Sequence, residues 1–362
     1  MTNAVNLASA AGTGFSMRNR IINGDMRIDQ RNAGASGTAS GYTVDRFSIS
    51  LSQASKLTWG QNYGSVTPPT GFTKYFGLQV GSAANVTVAA GDYFGFQHRI
   101  EGYNLADMGF GTANASSFTI SFWVYSSLTG TFGFALQNGA QNRAYATTYT
   151  INAANTWEKK TITIAGDTSG TWATDNSTGL ICTWGLGIGS TYAIAAGSSW
   201  TTTTSPNGFG VTGTVQLIQT NNATFYITGV QLEAGSVATP FERRPYGLEL
   251  ALCQRYYQTY SAFNYGTNAS YIGYYGGSNA LYPIQLGVPM RTVPTATISQ
   301  PTQVQYYSQG NAWTNTTLSA FTYNNTYVTV VCPCDSTGGS KLLYLAGGAT
   351  TTLPTINASA EL

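Results

Sequence analysis

Charged residues are scarce in this chain. Asp, Glu, Lys and Arg make up 8% of its 362 residues, whereas soluble domains commonly have about 25%. There is a single histidine, and the formal net charge is only +2. Acid–base catalysis needs positioned titratable groups, and nucleic-acid binding needs a concentrated basic face. The composition therefore disfavours both, and we expect no catalytic residue and no nucleic-acid partner.

Long apolar runs are missing too. No stretch reaches the roughly 18 apolar residues of a transmembrane helix, and the first residues lack the basic and apolar regions of a secretory signal. We expect no membrane insertion and folding in a cytoplasm. Of four cysteines, only Cys332 and Cys334 are close together, with no histidine near them and no second pair. We expect thiols, with no metal and no cofactor, because a metal site would need ligands from another chain.

Aromatic and small residues are abundant instead. The chain has 24 Tyr and 42 Gly, and aromatic residues make up 13% of it. With so few charges, its surface must be wetted by the hydroxyls and amides of Thr, Ser, Asn, Gln and Tyr. Such a composition is typical of a β-rich structural or binding protein.

Alternating stretches predict many short strands. In residues 117–125, the side chains of Phe118, Ile120, Phe122 and Val124 would face one way. Helical stretches that could connect parallel strands are missing. The fold class is therefore all-β: an antiparallel jelly-roll-type β-sandwich, followed by a short helix and a smaller C-terminal β domain. Further strands are predicted at 44–51, 75–80, 85–89, 93–100, 157–164 and 223–232.

Four regions follow from the composition. Residues 1–18 predict an extended N-terminal arm, either a disordered terminus or a segment that pairs with a neighbouring protein. Residues 19–244 predict the sandwich. Residues 245–261 predict a linker helix, since Leu248 and Leu252 repeat at helical spacing. Residues 262–362 predict the smaller β domain, with strands at 282–286, 295–299, 302–307, 327–331 and 341–345.

Three motifs that could support catalysis or phosphate binding have simpler interpretations. His98 has no accompanying nucleophile motif, so we expect a strand histidine with a hydrogen-bond partner. Asp25 and Asp29 each have an arginine within two residues, which would lower their pKa values and favour ion pairs. The glycines at 185–189 lack the lysine and helix of a phosphate loop, so this stretch is a loop or a bulged strand.

Aromatic residues of the C-terminal hundred residues form the candidate ligand-binding set. Flat rings can stack on sugar rings while neighbouring amides bind hydroxyl groups. Core or subunit-interface packing is the alternative for each single ring. The candidate residues are Tyr271, Tyr274, Tyr275, Tyr306, Tyr307 and Trp313.

Several stretches, taken in order, resemble bacteriophage virion proteins usually described as tail-fibre or receptor-binding proteins. The resemblance covers about residues 18–260 and is looser beyond, at 288–291 and 294–297. In such proteins the sandwich resembles a carbohydrate-binding module. The stretches are 18–32, 42–47, 118–124, 225–235, 238–242, 253–257 and 360–362.

The resemblance implies a virion protein that is made in the host cytoplasm and assembles as a homo-oligomer, often a trimer. The resemblance alone supplies neither a sugar ligand nor a catalytic residue. Together with the low charge, the arm and the aromatic surface, it predicts a non-enzymatic tail fibre or adhesin that contacts other virion proteins through its arm and attaches to a host-surface glycan. Two alternatives remain open. One is a head decoration, head fibre or tail accessory protein without a receptor role, and the other is a polysaccharide depolymerase.

Overall fold

The computed structural model describes residues 17–261, 274–276, 279–299, 304–307, 314–317, 319–322, 324–333, 344–347 and 355–362. The chain divides into two compact units. The first comprises the described residues up to Pro245, and the second spans Tyr246–Glu361.

The first unit is built on two antiparallel sheets. Strands that are distant in sequence lie side by side in each of them, as in a jelly roll. The seven-stranded sheet has the order β1-β2-β5-β10-β7-β8-β12 and the five-stranded sheet the order β3-β4-β14-β6-β9. The strands are β1 Gly41–Tyr42, β2 Phe47–Leu51, β3 Leu57–Gln61, β4 Phe76–Val80, β5 Tyr93–Glu101, β6 Phe118–Ser126, β7 Gly130–Asn138, β8 Arg143–Ile151, β9 Glu158–Ile164, β10 Thr178–Ile188, β12 Thr201–Thr202 and β14 Thr224–Ala234. Single 3₁₀ turns lie at Gly102–Asn104, Ala106–Met108 and Leu217–Gln219.

Aromatic side chains fill the space between the two sheets. Phe76 of the five-stranded sheet stacks on Phe96 of the seven-stranded sheet, with ring centroids 4.1 Å apart. Phe122 meets Trp184 edge to face at 5.6 Å. All four side chains are completely buried. Because alternate residues of a strand point to opposite faces, the neighbours of these rings lie on the outer faces, where the five-stranded sheet carries a second aromatic group that includes Tyr125 and Tyr226.

Small residues on the outer face of the seven-stranded sheet allow a second layer to pack on it. This layer holds a two-stranded parallel ladder, β11 (Ala193–Ile194) and β13 (Gly210–Val211). A Cβ atom at Gly133 would lie 3.0 Å from the Val211 side chain, and one at Gly95 would lie 2.7 Å from the Phe209 ring. Residues 189–215, which we call the covering segment, therefore pack against the sheet, and β12 within this segment adds an edge strand to it.

The segment before β1 is attached by side chains to the end of the first unit. Arg244 donates hydrogen bonds to the carbonyls of Asn19 and Ile21. Glu242 accepts one from the Asn19 amide at 2.8 Å. The charged residues at 242–244 thus fix the beginning of this segment.

The alternating charges at 25–31 lie on an irregular segment and not on an extended strand. Met26 has a φ of 59°, which breaks an extended chain. Arg27 pairs with Asp25 at 2.5 Å, while Asp29 accepts hydrogen bonds from the amides of Asn32 and Gly34. Burial raises the pKa of Asp25 above its usual value, and this outweighs the lowering by Arg27. These charges stabilise turns.

The second unit opens with a helix shorter than the predicted 245–261 linker. Helix α1 (Tyr246–Gln254) gives way to β15 (Tyr257–Ser261), which pairs with β24 (Thr355–Ser359). Tyr and Thr favour strands. Residues 257–261 therefore pair with β24 instead of extending the helix. The other strands are β16 Tyr274–Gly276, β17 Asn279–Gln285, β18 Thr295–Ile298, β19 Val304–Tyr307, β20 Thr314–Thr316, β21 Ser319–Phe321, β22 Tyr327–Pro333 and β23 Tyr344–Gly347.

These strands form three small antiparallel sheets with the orders β15-β24-β18, β16-β17-β22-β21 and β20-β19-β23. A separate core lies among them, with Met290, Val328, Val330 and Ile356 completely buried. The predicted fold class is therefore confirmed: an antiparallel jelly-roll-type sandwich, a short helix and a smaller C-terminal β region. None of the helices within the described ranges has the length and hydropathy that a bilayer crossing requires.

His98 lies in the core, on the same face of β5 as Phe96. Its ring is 4.5 Å from that of Phe47 and is 1% exposed. Neither ring nitrogen makes a hydrogen bond of good geometry to a described residue, and its interaction with the main chain of Arg46 is too weak to offset the burial of the ring. Desolvation lowers the pKa of His98 well below its usual value, and the charge of Arg46 lowers it further. The imidazole is therefore neutral in the folded protein.

We expect the neutral His98 to make the protein less stable in mild acid. Below about pH 6.5 the unfolded chain binds a proton that the folded chain does not, so the free energy of unfolding falls by up to about 1.4 kcal/mol per pH unit. It should level off above that pH. Urea titrations between pH 5 and 7.5 would measure the slope. His98→Leu should remove it, and equal slopes in the two proteins would contradict the assignment.

We also expect Gly95 to be required for seating the covering segment. Gly95→Ala should lower the free energy of unfolding by about 1–3 kcal/mol, because the added methyl group displaces the Phe209 ring. Gly91→Ala is the matched control, since a Cβ there meets nothing within 4 Å, and its effect should stay within about 0.5 kcal/mol. Urea midpoints at constant m-value report both changes. Equal effects would refute the role of Gly95.

Candidate functional site

The aromatic residues predicted to bind a ligand fall in three places. Tyr271 and Trp313 lie outside the described residues. Tyr274 and Tyr275 lie on β16, which pairs with β17. Tyr306 and Tyr307 lie on β19, which pairs with β20 and β23. The two tyrosine pairs therefore belong to different sheets, and their role in binding stays a prediction.

A polar cavity of about 180 Å³ lies on the outer face of the seven-stranded sheet, in the first unit. Strands β2, β5 and β7 form its floor, and the covering segment forms one wall. Its lining combines rings, amides and one positive charge. The lining residues are Ser50, Tyr93, Gln97, Arg99, Gln137, Gln141, Tyr192, Pro206 and Phe209.

Three half-buried aromatic rings meet at this cavity. The Tyr93 ring lies 4.7 Å from Tyr192 and 5.6 Å from Phe209, and the latter two are 6.3 Å apart. Phe209 meets both tyrosines edge to face, at 67° and 76°, an arrangement that aromatic groups favour, and the two tyrosine rings are inclined by 50° to each other. The hydroxyl groups of both tyrosines make no hydrogen bond within the described ranges. The cluster thus offers flat apolar faces with polar tips.

Gln97 holds the floor of the cavity in place. Its Oε1 accepts a hydrogen bond from Ser50 Oγ on β2 at 3.1 Å, and its Nε2 donates one to Thr183 Oγ1 on β10 at 3.0 Å. The side chain is 3% exposed. It therefore ties three adjacent strands together on the cavity side of the sheet.

Two further glutamines connect the floor to the covering segment. Gln137 of β7 donates from Nε2 to the carbonyl of Asn207 at 3.0 Å. Ser205 donates from Oγ to Oε1 of Gln141 at 3.0 Å. The Oε1 atom of Gln137 accepts no hydrogen bond from a described residue, so this side chain keeps an acceptor for a ligand.

Arg99 supplies the positive charge of the cavity. It lies two residues beyond Gln97 on the same face of β5 and is half-buried. Its carbonyl accepts a hydrogen bond from Arg46 at 2.7 Å, which involves only the main chain of Arg99. The guanidinium itself makes no hydrogen bond, ion pair or ring contact to a described residue.

Asp92 fixes the edge of the site at the start of β5. It accepts hydrogen bonds from the Ala89 amide at 2.9 Å and from the side chains of Ser52 and Gln53 at 2.8 and 3.1 Å. These hydrogen bonds lower the pKa of Asp92, and the bond from the Ala89 amide has the largest effect. The carboxylate therefore stays ionised and holds the loop that precedes Tyr93.

Two other cavities are less suited to a flat polar ligand. One of about 260 Å³ on the five-stranded sheet includes Phe72 and Phe241. Arg243 already covers both of these rings, at 4.8 and 5.6 Å from their centroids. The other, of about 600 Å³, is formed mostly by loops around Trp172 and Asp175. Of these three cavities, the one at β5 combines uncovered rings with amide side chains and a cation that has no partner among the described residues.

Sequence reasoning missed this site, although part of its signal was present. The sequence predicts a strand at 93–100, and His98 is the one residue of that strand with a functional interpretation above. Strand alternation alone places Tyr93, Gln97 and Arg99 on the face opposite His98. Tyr192 and Phe209 come from the covering segment, which has no periodic pattern to place it.

No protein-family model matches the chain, and no curated protein matches it. Among solved structures, the chain is similar to the enzymatically active domain of tailspike protein 4 of bacteriophage CBA120, with 12% identity and a TM-score of 0.33. The alignment covers 61% of this chain and 22% of the tailspike chain. A putative sugar binding protein from Bacteroides thetaiotaomicron has 10% identity and a TM-score of 0.33, with 60% of this chain and 100% of that one covered. The family 11 carbohydrate-binding module of a Clostridium thermocellum cellulase has 12% identity and a TM-score of 0.29, with 57% and 99% covered.

Proposed function

We propose that this chain is a non-enzymatic virion structural protein that binds a glycan in the cavity at β5. The observation that carries the proposal is the meeting of Tyr93, Tyr192 and Phe209 beside amide side chains. A sugar ring has apolar faces bordered by hydroxyl groups. The aromatic rings can pack against the apolar faces of the sugar, while the amides and the tyrosine hydroxyl groups can form hydrogen bonds with its hydroxyl groups.

The size of the cavity favours a short ligand segment. Sites for drug-sized molecules span about 300–1,000 Å³, whereas this cavity measures about 180 Å³. It suits one ring of a glycan, such as a terminal residue, with the rest of the glycan in solvent.

The virion assignment is supported by the sequence resemblance at 18–32 and 225–235. A tail fibre or adhesin would use the cavity to attach the particle to a host glycan. As in the proteins it resembles, the chain would form a homo-oligomer, and we propose a trimer. Its N-terminal arm would contact other virion proteins. Immunogold labelling of particles from the encoding phage tests the location, and unlabelled particles would refute it.

Two other functions can be separated from this proposal. A head decoration or tail accessory protein would label on the particle but bind no glycan. A depolymerase would release sugar from capsule or lipopolysaccharide. Glycosidases use two carboxyl groups beside the scissile bond, and none of the nine residues that line the cavity is acidic. This lining favours binding over hydrolysis.

We expect Tyr192→Ala to weaken glycan binding about tenfold or more, because anchoring aromatic side chains commonly contribute the largest losses on truncation. An array of printed bacterial surface glycans, followed by calorimetry on the best ligand, would measure it. Tyr103→Ala is the matched control, since Tyr103 is 61% exposed and lies outside the cavity. Equal binding by the two variants, or binding to no glycan, would overturn the proposed site.

A further inference from the structure

The guanidinium of Arg99 is the unusual feature of the cavity. A half-buried cation normally has an internal partner, because leaving water costs free energy that a partner must offset. Four other arginines of the first unit show the rule, since each lies within 3.1 Å of a carboxylate oxygen. The pairs are Arg20–Asp107, Arg27–Asp25, Arg143–Asp167 and Arg244–Glu242. Arg99 has no such partner among the described residues.

The surroundings of Arg99 leave its charge uncompensated. None of the residues that line the cavity is acidic. Asp92, at the start of the same strand, already accepts three hydrogen bonds. Glu101, two residues beyond Arg99, is 1% exposed and has interactions of its own. The aromatic wall also lowers the local dielectric, which strengthens the attraction of an anion.

We propose that the glycan recognised in this cavity carries an anionic group, a carboxylate or a phosphate, that binds Arg99. This inference rests on the proposed function. The planar guanidinium offers parallel N–H groups that match two oxygens of such a group. The aromatic cluster would hold the sugar ring, and Arg99 would select its acidic substituent. Uronic, sialic and phosphorylated sugars share this chemistry.

The experiment compares wild type, Arg99→Gln and Arg99→Lys on an array of neutral, carboxylated and phosphorylated glycans. We expect the wild type to prefer anionic glycans. Arg99→Gln should weaken that binding about 10- to 100-fold, the loss typical of a hydrogen bond to a charged group. Arg99→Lys should fall between them, because it keeps the charge but loses the paired N–H groups. The separate array classes identify whether carboxylate or phosphate is bound.

Two controls isolate the contact. Arg243→Gln removes an equal charge from the cavity on the five-stranded sheet and should leave binding unchanged. Reducing the carboxylate of the best ligand to an alcohol should weaken wild-type binding as much as Arg99→Gln does, and the two changes together should add little. Folding should be unaffected in Arg99→Gln, since the guanidinium has no described partner and the bond to Arg46 uses the main chain.

The outcomes separate this inference from the proposed function. Binding of neutral glycans that Tyr192→Ala weakens and Arg99→Gln does not would overturn the anionic specificity and leave the site intact. Binding of anionic glycans that is insensitive to Arg99→Gln would overturn it as well. Binding to no glycan would overturn both. Selective loss of anionic ligands in Arg99→Gln would support both.

Discussion

The alternation of side chains along β5 links the core of the first unit to its candidate site. Phe94, Phe96 and Ile100 point between the sheets and are buried. The intervening residues Gln97 and Arg99 face the cavity. Because the side-chain period of a strand is two residues, a slip of one residue would exchange these sets. The stacking of Phe96 on Phe76 therefore also fixes which side chains a ligand meets.

The scarcity of charge explains how the first unit uses the few ionic groups that it has. Arg143 makes two hydrogen bonds of 2.7 Å to Asp167, and this contact raises the pKa of Arg143. Glu158 accepts from Lys160 and from two amides of the preceding turn. Such groups join strands to loops rather than wetting the surface. Arg99 differs from these groups because it lines the cavity and its guanidinium has no partner among the described residues.

The sequence predicted the elements in which alternation is regular. The strand predicted at 117–125 is β6, and that predicted at 93–100 is β5. The glycines at 185–189 fit one of the two interpretations offered, a bulged strand, since β10 shifts register against β5 between Gly185 and Gly187. The strand predicted at 85–89 is wrong, because Asn85 has a φ of 45° and turns the chain there. Residue types can indicate that a stretch is extended, but they do not show that a residue such as Asn85 adopts a left-handed conformation.

The candidate site was harder to predict because half of it depends on contacts between distant residues. Strand periodicity can place Tyr93 and Arg99 on one face. It cannot bring Phe209 to them, since that contact depends on the missing side chain of Gly95, more than a hundred residues away. The sequence predicts a ligand-binding set among the C-terminal residues because tyrosines are frequent in that part of the chain. A high number of tyrosines in a stretch of sequence indicates a binding site less strongly than several side chains on one face of a sheet with a cavity above them.

Main-chain hydrogen bonds hold the aromatic wall before any ligand arrives. The Gly189 amide donates to the carbonyl of Asp92 at 2.8 Å, and the Gly210 amide donates to that of Tyr192 at 3.1 Å. At its far end, Val215 donates to Thr131 of β7 at 2.8 Å. Ordering a loop on binding would cost conformational entropy. Since the covering segment is already attached to β5 and β7, the rings of Tyr192 and Phe209 can contact a sugar with little of that cost. Under the proposed function, this rigid attachment would help so small a cavity to discriminate among ligands.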